Sequence, residues 1–88
     1  MAKVKTYTFN KVNYDIEFSE RLDGLCDYPR STKPSIRIMA KPYTKNELIT
    51  IIHESLHASD WSKSEEIVDR VSTDIGRLLW RLGYRRKK

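Results

Sequence analysis

The chain has 88 residues, of which 39% are hydrophobic and 33% are charged, with a formal net charge of +5. This length suits one small domain, and the composition is typical of a globular protein and excludes a disordered one. No apolar run approaches the roughly 20 residues of a membrane span, and the N-terminal residues contain no apolar signal core. With a single cysteine, Cys26, an internal disulfide is excluded, and we therefore expect a soluble, cytoplasmic protein without a membrane partner.

The positive charge is concentrated at the C-terminal end. From residue 77 onward there are six basic residues and no acidic one: Arg77, Arg81, Arg85, Arg86, Lys87 and Lys88. We predict one domain over residues 1–84, followed by a basic tail over residues 85–88. Such a tail can bind nucleic acid, but a run of like charges is more often a solvated segment, and no nucleic-acid motif accompanies this one. We therefore favour the solvated tail.

Three segments in the N-terminal part have the composition of β-strands. Residues 4–9 are rich in Val, Thr, Tyr and Phe, and residues 12–18 alternate apolar and polar side chains, which together predict a hairpin. Residues 22–34 contain Gly, Pro, Asp and Ser and predict a loop. Residues 35–39 (SIRIM) then predict a short third strand with its two isoleucines on one face.

Two helices are predicted after the strands. Thr44 and Glu47 form a T-x-x-E capping box, which indicates a helix start. The apolar residues that follow lie on one helical face: Leu48, Ile49, Ile52 and Leu56. Ser62 and Glu65 form a second predicted capping box, and the helix after it has its own apolar face: Val68, Val71, Ile75, Leu78, Leu79 and Leu82. The predicted fold is α+β, with a small three-stranded antiparallel sheet followed by two packed helices.

The first predicted helix contains both histidines of the chain, in the segment HESLH. His53 and His57 are four residues apart, so their side chains lie one turn apart on the same side of a helix, where both can bind one metal ion. Glu54 points further round the helix, and we predict that it acts on a metal-bound water as a general base and is not a ligand. A catalytic zinc site typically has three protein ligands and one water, so a third ligand is needed.

The candidates for the third ligand are acidic residues after the first helix, together with the cysteine: Glu65, Glu66, Asp60, Asp69 and Cys26. On a helical wheel Glu65 lies about 100° from the centre of the second helix's apolar face, and Glu66 lies about 160° from it. If the helices pack through their apolar faces, Glu65 can approach the histidines and Glu66 cannot. Asp69 lies one turn beyond Glu65 and is predicted to hold a ligand histidine by its other ring nitrogen. Asp60 is expected to end the first helix.

Each of these residues also has a purely structural explanation. Glu65 can serve only in the capping box, Asp69 can be a solvated surface charge, and a histidine beside an apolar face is more often structural than a ligand. Here, however, the two histidines stand at ligand spacing with a glutamate between them, and the next helix offers acidic residues. We therefore favour a metal site. Trp61 and Trp80 are predicted to be packing residues.

The segments HESLH and EEIVD together resemble the HExxH and ExxxD/N elements of gluzincin-type zinc peptidases, including the ImmA/IrrE-like group. The surrounding sequence is also similar to short HExxH proteins of phages and bacteria, which would place the protein in the host cytoplasm if a phage encodes it. The resemblance covers residues 36–85. It implies Zn2+ as the cofactor, with His53, His57 and Glu65 as ligands and Glu54 as the residue that activates water.

The resemblance also implies an edge strand beside the cleft, which pairs with an extended peptide or protein substrate. The third predicted strand is the natural candidate, through Ile36, Arg37, Ile38 and Met39. Nothing in the sequence selects the side chain that stabilises the oxyanion, and the candidates are Tyr28, Tyr43 and Arg37. The chain lacks most of the substrate-binding body of larger members of the group.

The sequence therefore predicts a zinc metallopeptidase, a hydrolase that cleaves peptide bonds with a metal-activated water. Three alternatives stay open. The zinc ion can hold together a small domain that binds a partner without turnover. The basic C-terminus can direct the protein to nucleic acid, as in SprT-like peptidases. The last alternative is a metal-free helical interaction protein. Neither the substrate nor the oligomeric state is predicted.

Overall fold

The computed structural model describes residues 6–19, 25–26 and 34–86. In chain order the elements are β1 (Thr6–Phe9), β2 (Val12–Ser19), β3 (Leu25–Cys26), β4 (Ser35–Met39), α1 (Lys45–Ser59) and α2 (Glu65–Arg81). Strands therefore precede helices along the chain, and the predicted α+β fold is confirmed. The predicted loop over residues 22–34 contains β3. Apart from Pro34, the rest of that loop lies outside the described residues, as do residues 4 and 5 of the first predicted strand.

β1 and β2 form the predicted antiparallel hairpin. Asn10 and Lys11 connect the two strands, and both have positive φ angles, of 49° and 67°. This is the backbone of the tight two-residue turns that match the twist of a hairpin. The register pairs Phe9 with Val12. Alternate side chains therefore share one face, and the apolar residues of the hairpin meet the core beneath α1.

The sheet is mixed, which corrects the prediction of an antiparallel sheet. Its strand order is β1-β2-β4-β3, in which β4 runs parallel to β2 and antiparallel to β3. The cause lies in the connection between β2 and β4, because the chain runs back along the sheet in β3 before β4 begins. The backbone N–H of Asp15 donates to the carbonyl of Pro34 at 3.0 Å, which sets the start of the parallel register.

The strand predicted to bind substrate, formed by Ile36, Arg37, Ile38 and Met39, is an interior strand and not an edge strand. Arg37 is paired with β2 on one side and with β3 on the other. Ile36 and Ile38 point into the core and are each 2% exposed. β3 pairs with Ile36 and Arg37, so a peptide cannot pair along the full length of β4 without displacing β3, and the prediction of an edge strand is wrong at these two residues.

The core lies between the sheet and α1. Its buried apolar members in this layer are Tyr14, Ile36, Ile38 and Ala58. α1 begins after Thr44, whose hydroxyl accepts the backbone N–H of Glu47 at 3.1 Å, as predicted for the N-cap. A complete capping box would also have the backbone N–H of Thr44 donate to the carboxylate of Glu47. That carboxylate accepts instead from the backbone N–H of Tyr43. Asp60 is the C-cap of α1, so the predicted end of this helix is confirmed.

α2 contacts α1 alone among the described elements. Its buried residues are Val68, Ser72 and Gly76. A Cβ added at Gly76 would lie 2.4 Å from Cγ1 of Ile49 on α1, so the absence of a side chain allows the two helices to approach closely. Neither helix is long and apolar enough to cross a membrane, within the residues that the structure describes.

The N-cap of α2 is Ser64, whose hydroxyl accepts the backbone N–H of Ile67 at 3.2 Å. The predicted capping box of Ser62 and Glu65 is therefore wrong. Ser62 instead donates its backbone N–H to the carboxylate of Asp60 at 2.9 Å, in the short turn between the helices. α2 consequently begins at Glu65 itself.

The apolar face predicted for α2 is only partly its packing face, because Val68 is fully buried while most of the other predicted members are exposed. Ile75, Leu78 and Leu82 are 40%, 57% and 62% exposed. The helix instead turns its small residues toward α1, since the approach at Gly76 leaves no room there for large side chains. On the helical wheel Ile75, Leu82 and Leu78 lie about 60°, 80° and 120° from the centre of the buried residues.

Arg86 lies against the domain, which corrects the expectation of a free, solvated tail for this residue. Its guanidinium donates to both carboxylate oxygens of Glu47, at 3.1 and 2.8 Å, and Glu47 is buried. The same guanidinium lies over the rings of Phe18 and Tyr43. The packed chain thus extends beyond the predicted domain boundary, while residues 87–88 lie outside the described part.

Candidate metal centre

His53 and His57 lie one turn apart on the side of α1 that faces the start of α2. Their ring centroids are 4.9 Å apart, and their side chains are 17% and 14% exposed. The ring of His57 also stacks on Trp61, with centroids 5.8 Å apart and planes inclined by 24°. Both imidazoles are therefore held in a half-sheltered position, with one edge of each ring directed at the first turn of α2.

Glu65, the first residue of α2, bridges the two histidines. Its Oε1 atom is 2.8 Å from Nε2 of His53, and its Oε2 atom is 2.8 Å from Nε2 of His57. Asp69, one turn further along α2, places Oδ1 at 3.1 Å from Nδ1 of His53. The structure thus brings together all four of these predicted site residues, while their role in binding a metal stays a prediction.

The cause of this arrangement differs from the one inferred from the sequence. We expected Glu65 to approach the histidines from the edge of a packing face that contained Leu78. In the structure the buried residues of α2 are Val68, Ser72 and Gly76, and Glu65 and Asp69 lie about 20° and 60° from the centre of that face. The two carboxylates therefore lie on the packing side of α2, on the flank away from Leu78, and they meet α1 where the turn between the helices brings the two helices together.

Glu54 is buried, with 6% of its surface exposed. Burial raises the pKa of its carboxyl to about 7, and the negative charge of Glu65 adds to the rise. On the helical wheel Glu54 lies about 60° round from His57, between the histidines and the sheet. A carboxyl group with a pKa near 7 can both accept and donate a proton at neutral pH, which is the property required of a general acid–base.

The remaining ligand candidates do not join the centre. Asp60 caps α1, and the hydrogen bonds that it accepts from Ser62 lower the pKa of its carboxyl. Glu66 is exposed on the outer side of α2. Cys26 lies in β3, and its side chain is outside the described part of the chain.

Two of the three oxyanion candidates are also remote from the histidines. Arg37 lies on the outer face of the sheet, where its Nε atom is 3.4 Å from a carboxylate oxygen of Glu17. Tyr43 precedes α1 and stands ten residues before His53, which corresponds to about 15 Å along a helix axis. Tyr28 lies outside the described residues. The structure therefore supports neither Arg37 nor Tyr43 in this role.

Trp61, predicted only as a packing residue, links the centre to the core of the domain. The indole N–H of Trp61 donates to the hydroxyl of Tyr14 at 3.2 Å, and Tyr14 is fully buried. Trp61 therefore connects the ring of His57 to the core of the sheet. The spacing of four residues between His57 and Trp61 is a signal for their contact. Tyr14 comes from a distant part of the chain, and no local pattern could have indicated it.

The three donors fit a zinc site in kind and in position. His53, His57 and Glu65 each offer a ligand atom within 4.8 Å of the other two. Donors bound tetrahedrally at 2.0–2.2 Å from zinc lie about 3.3 Å apart, so the present contacts of 2.8 Å need only a small outward shift. The side chain of Glu65 is 65% exposed and has room for that shift. Two imidazoles and one carboxylate also form a known catalytic zinc ligand set.

An apolar groove of about 280 Å³ lies on the other side of α1. It is lined by residues of β1, β2, β4 and α1: Tyr7, Phe9, Ile16, Phe18, Ile36, Ile38, Ile51 and Ser55. Ile51 and Ser55 lie about 160° round the helix from His53 and His57, respectively. The groove and the histidines therefore occupy opposite sides of α1, and the groove is not a cleft around the metal centre.

The chain matches no protein-family model, and no curated protein or solved structure matches it significantly. The resemblance to gluzincin-type peptidases therefore stays a hypothesis that rests on the residues themselves. Those residues are HESLH on α1 and EEIVD at the start of α2. What supports the hypothesis is the geometry that brings these two segments together.

Proposed function

We propose that this chain is a zinc-dependent peptidase in which His53, His57 and Glu65 hold the metal ion. The observation that carries the proposal is the pair of 2.8 Å contacts between the two Nε2 atoms and the two oxygens of one carboxylate. Helix capping alone does not require this convergence of two imidazoles and one carboxylate, which is the donor set that ligation of a single ion needs. The segments HESLH and EEIVD, which contain these donors, also resemble the HExxH and ExxxD/N elements of gluzincin-type peptidases.

The centre has the make-up of an open, catalytic zinc site. Three protein donors leave one of four positions for a water molecule, and the exposed side of Glu65 faces solvent. When bound, zinc would polarise the substrate carbonyl and lower the pKa of the coordinated water. Asp69 would keep His53 oriented by accepting the Nδ1 proton, which leaves Nε2 for the ion.

Glu54 is the proposed general base. Its pKa of about 7 suits a group that accepts a proton from the attacking water and then gives a proton to the leaving amine nitrogen. Its position about 60° round α1 from His57 keeps its carboxyl off the line of the ligand atoms, as a base that is not itself a ligand requires.

The proposed substrate is a peptide or protein, and the proposed location is the cytoplasm. We do not assign the substrate to β4, because β2 pairs along it on one side and β3 pairs with Ile36 and Arg37 on the other. We do not favour a nucleic-acid partner. Arg86, one of the C-terminal basic residues, is bound to Glu47, and Arg85 lies over the ring of Trp80 and donates to the Trp80 carbonyl.

A second candidate function is a zinc-stapled binding module without turnover. It is favoured by the contacts of α2, which meets α1 alone among the described elements and places two carboxylates against the histidines. A metal ion at that point would link the helices and stabilise a small domain. The two functions differ in what they require of Glu54, since that residue matters for turnover but not for metal binding.

Zinc stoichiometry and cleavage of an unfolded protein would be measured together on the wild type, Glu54→Gln, His53→Ala and the exposed control Glu66→Gln. For a peptidase, Glu54→Gln keeps its zinc and loses roughly 10²- to 10⁴-fold in rate, while His53→Ala loses the metal. The control should match the wild type in both. A wild type that holds zinc but cleaves no member of a broad peptide panel favours the stapled module. A wild type without affinity for zinc contradicts both functions.

A further inference from the structure

The side chain of Trp61 is held by the sheet as well as by the end of α1. Its indole N–H donates to the hydroxyl of Tyr14 at 3.2 Å, and Tyr14 is a fully buried member of the core. A buried hydroxyl that loses its hydrogen-bond partner costs free energy, so the fold itself favours this contact. α1 ends at its C-cap Asp60, one residue before Trp61, and helical geometry alone therefore does not place the indole.

The backbone of Trp61 lies inside the turn between the two helices. Asp60 fixes this turn, because its carboxylate accepts the backbone N–H of Ser62 at 2.9 Å. Along the chain Trp61 stands four residues after His57 and four residues before Glu65. A shift of Trp61 would therefore move the segment that connects two of the proposed ligands.

The two proposed histidine ligands are oriented in different ways. Nδ1 of His53 faces the carboxylate of Asp69 at 3.1 Å, whereas among the described residues no carboxylate is paired with Nδ1 of His57. The ring of His57 lies against Trp61, with centroids 5.8 Å apart and planes inclined by 24°, which is a stacked arrangement. The lone pair of Nε2 lies in the plane of the imidazole. A contact that holds this plane therefore keeps the donor directed at the position that it shares with Glu65.

We propose that Trp61 is the positioning residue for His57, and that the hydroxyl of Tyr14 holds Trp61 in place before a metal ion binds. This role rests on the proposed function, since it requires an ion at the histidines. Ligands that are already in place lose less conformational freedom on binding, which increases affinity. A hydroxyl in the core of the sheet would thus strengthen zinc binding without contacting a ligand.

Zinc affinities of conservative variants, measured by competition with a chromophoric chelator, test this role. Trp61→Phe keeps a ring against His57 and loses the indole N–H, while Tyr14→Phe loses only the hydroxyl that accepts it. We expect each to lower the affinity about 3- to 10-fold, and Trp61→Ala, which lacks both contacts, about 10- to 100-fold. Trp80→Phe is the matched control and should bind zinc like the wild type, because Trp80 follows Glu65 by about 22 Å along α2.

A double-variant cycle separates positioning from a general loss of stability. If the hydroxyl acts through the indole, Tyr14→Phe should lower the zinc affinity of the wild type but not that of Trp61→Phe. Fully additive losses would show that the two residues act independently, and they would overturn the proposed link. Visible absorption of the protein loaded with Co2+ gives a second readout. Trp61→Ala should shift the absorption bands because His57 moves, and Trp80→Phe should not.

Tryptophan fluorescence examines the contact without disturbing it. In Trp80→Phe the remaining tryptophan lies against His57, so zinc should change its emission and the change should saturate at one equivalent. In Trp61→Phe the remaining tryptophan should not respond. If the wild type binds zinc and the variants at Trp61 and Tyr14 all match its affinity, Trp61 is only a packing residue and the proposed role is wrong. A wild type that binds no metal removes the proposed centre itself, and the positioning role with it.

Discussion

Oδ1 of Asp69 lies 3.1 Å from Nδ1 of His53, and Oε1 of Glu65, one turn earlier on α2, lies 2.8 Å from Nε2 of the same ring. Both ring nitrogens of this histidine therefore point at carboxylates of the same helix. A carboxylate behind a metal-binding imidazole fixes the orientation of its ring and increases its basicity.

Replacement of Asp69 should weaken metal binding without preventing it. In Asp69→Ala the three proposed ligands remain, so we expect zinc affinity to fall about 10- to 100-fold. Competition with a chromophoric zinc chelator would measure the change. Asp74→Ala, on the outer side of the same helix, is the control and should leave the affinity unchanged. Equal affinities for wild type and Asp69→Ala would show that this carboxylate is only a surface charge.

The two adjacent glutamates at the start of α2 should behave differently. Glu65→Ala removes a proposed ligand and should abolish stoichiometric zinc binding, whereas Glu66→Ala alters an exposed residue on the outer side and should have little effect. Isothermal titration of the two variants with zinc gives the comparison. If Glu66→Ala lost the metal and Glu65→Ala kept it, the position of α2 described above would be wrong.

The metal-free protein should lose stability as the pH rises through the slightly acidic range. Burial, together with the charge of Glu65, raises the pKa of Glu54 to about 7 in the folded chain, from its ordinary value of 4.5. Between these pH values the folded protein keeps a proton that the unfolded chain releases, so the free energy of unfolding falls with pH. The loss should reach about 1–3 kcal/mol near pH 7 and change little above it.

Glu54→Gln isolates this contribution, because the amide stays neutral throughout. Urea unfolding of both proteins with a chelator present, at pH 5 and at pH 8, gives the difference between their pH dependences. We expect Glu54→Gln to gain stability relative to the wild type at pH 8. A parallel pH dependence of the two proteins would mean that Glu54 titrates normally in the folded state.

Arg86 should contribute to stability far more than its neighbour Arg85. Arg86→Ala leaves the buried carboxylate of Glu47 without its cation, which we expect to cost about 2–4 kcal/mol. Arg85→Ala removes an exposed guanidinium over Trp80 and should change stability by less than about 1 kcal/mol. Chemical denaturation measures both. If Arg86→Ala were as stable as the wild type, the sequence-based prediction of a solvated tail would hold for this residue.

Gly76→Ala should destabilise the pair of helices. An alanine would place its Cβ 2.4 Å from Cγ1 and 3.2 Å from Cα of Ile49, so the helices must move apart. We expect a loss of about 1–3 kcal/mol, although alanine is intrinsically the better helix former. The double variant Gly76→Ala/Ile49→Ala should be less unstable than the two single losses combined. A single variant more stable than the wild type would contradict the close approach.

Local patterns were sufficient for most of the secondary structure and for the residues of the site. Strand alternation, the turn between Phe9 and Val12 and the N-cap Thr44 act between near neighbours, so the sequence shows them directly. The pairing of His53 with His57 is also a relation between near neighbours, because side chains four residues apart lie on the same side of a helix. The α+β class follows from the order of these elements.

The relations that the sequence could not provide depend on residues far apart in the chain. The parallel pairing of β4 with β2 depends on where the intervening chain runs, and the predicted edge strand was wrong for that reason. The packing face of α2 was decided by the approach of Ile49 to Gly76, which outweighed the burial of Leu78 and its apolar neighbours. Glu65 therefore reaches the histidines because of this packing, which the apolar periodicity of α2 did not predict. The ion pair between Arg86 and Glu47 also depends on tertiary structure, because the two residues are far apart in the chain and meet only in the fold.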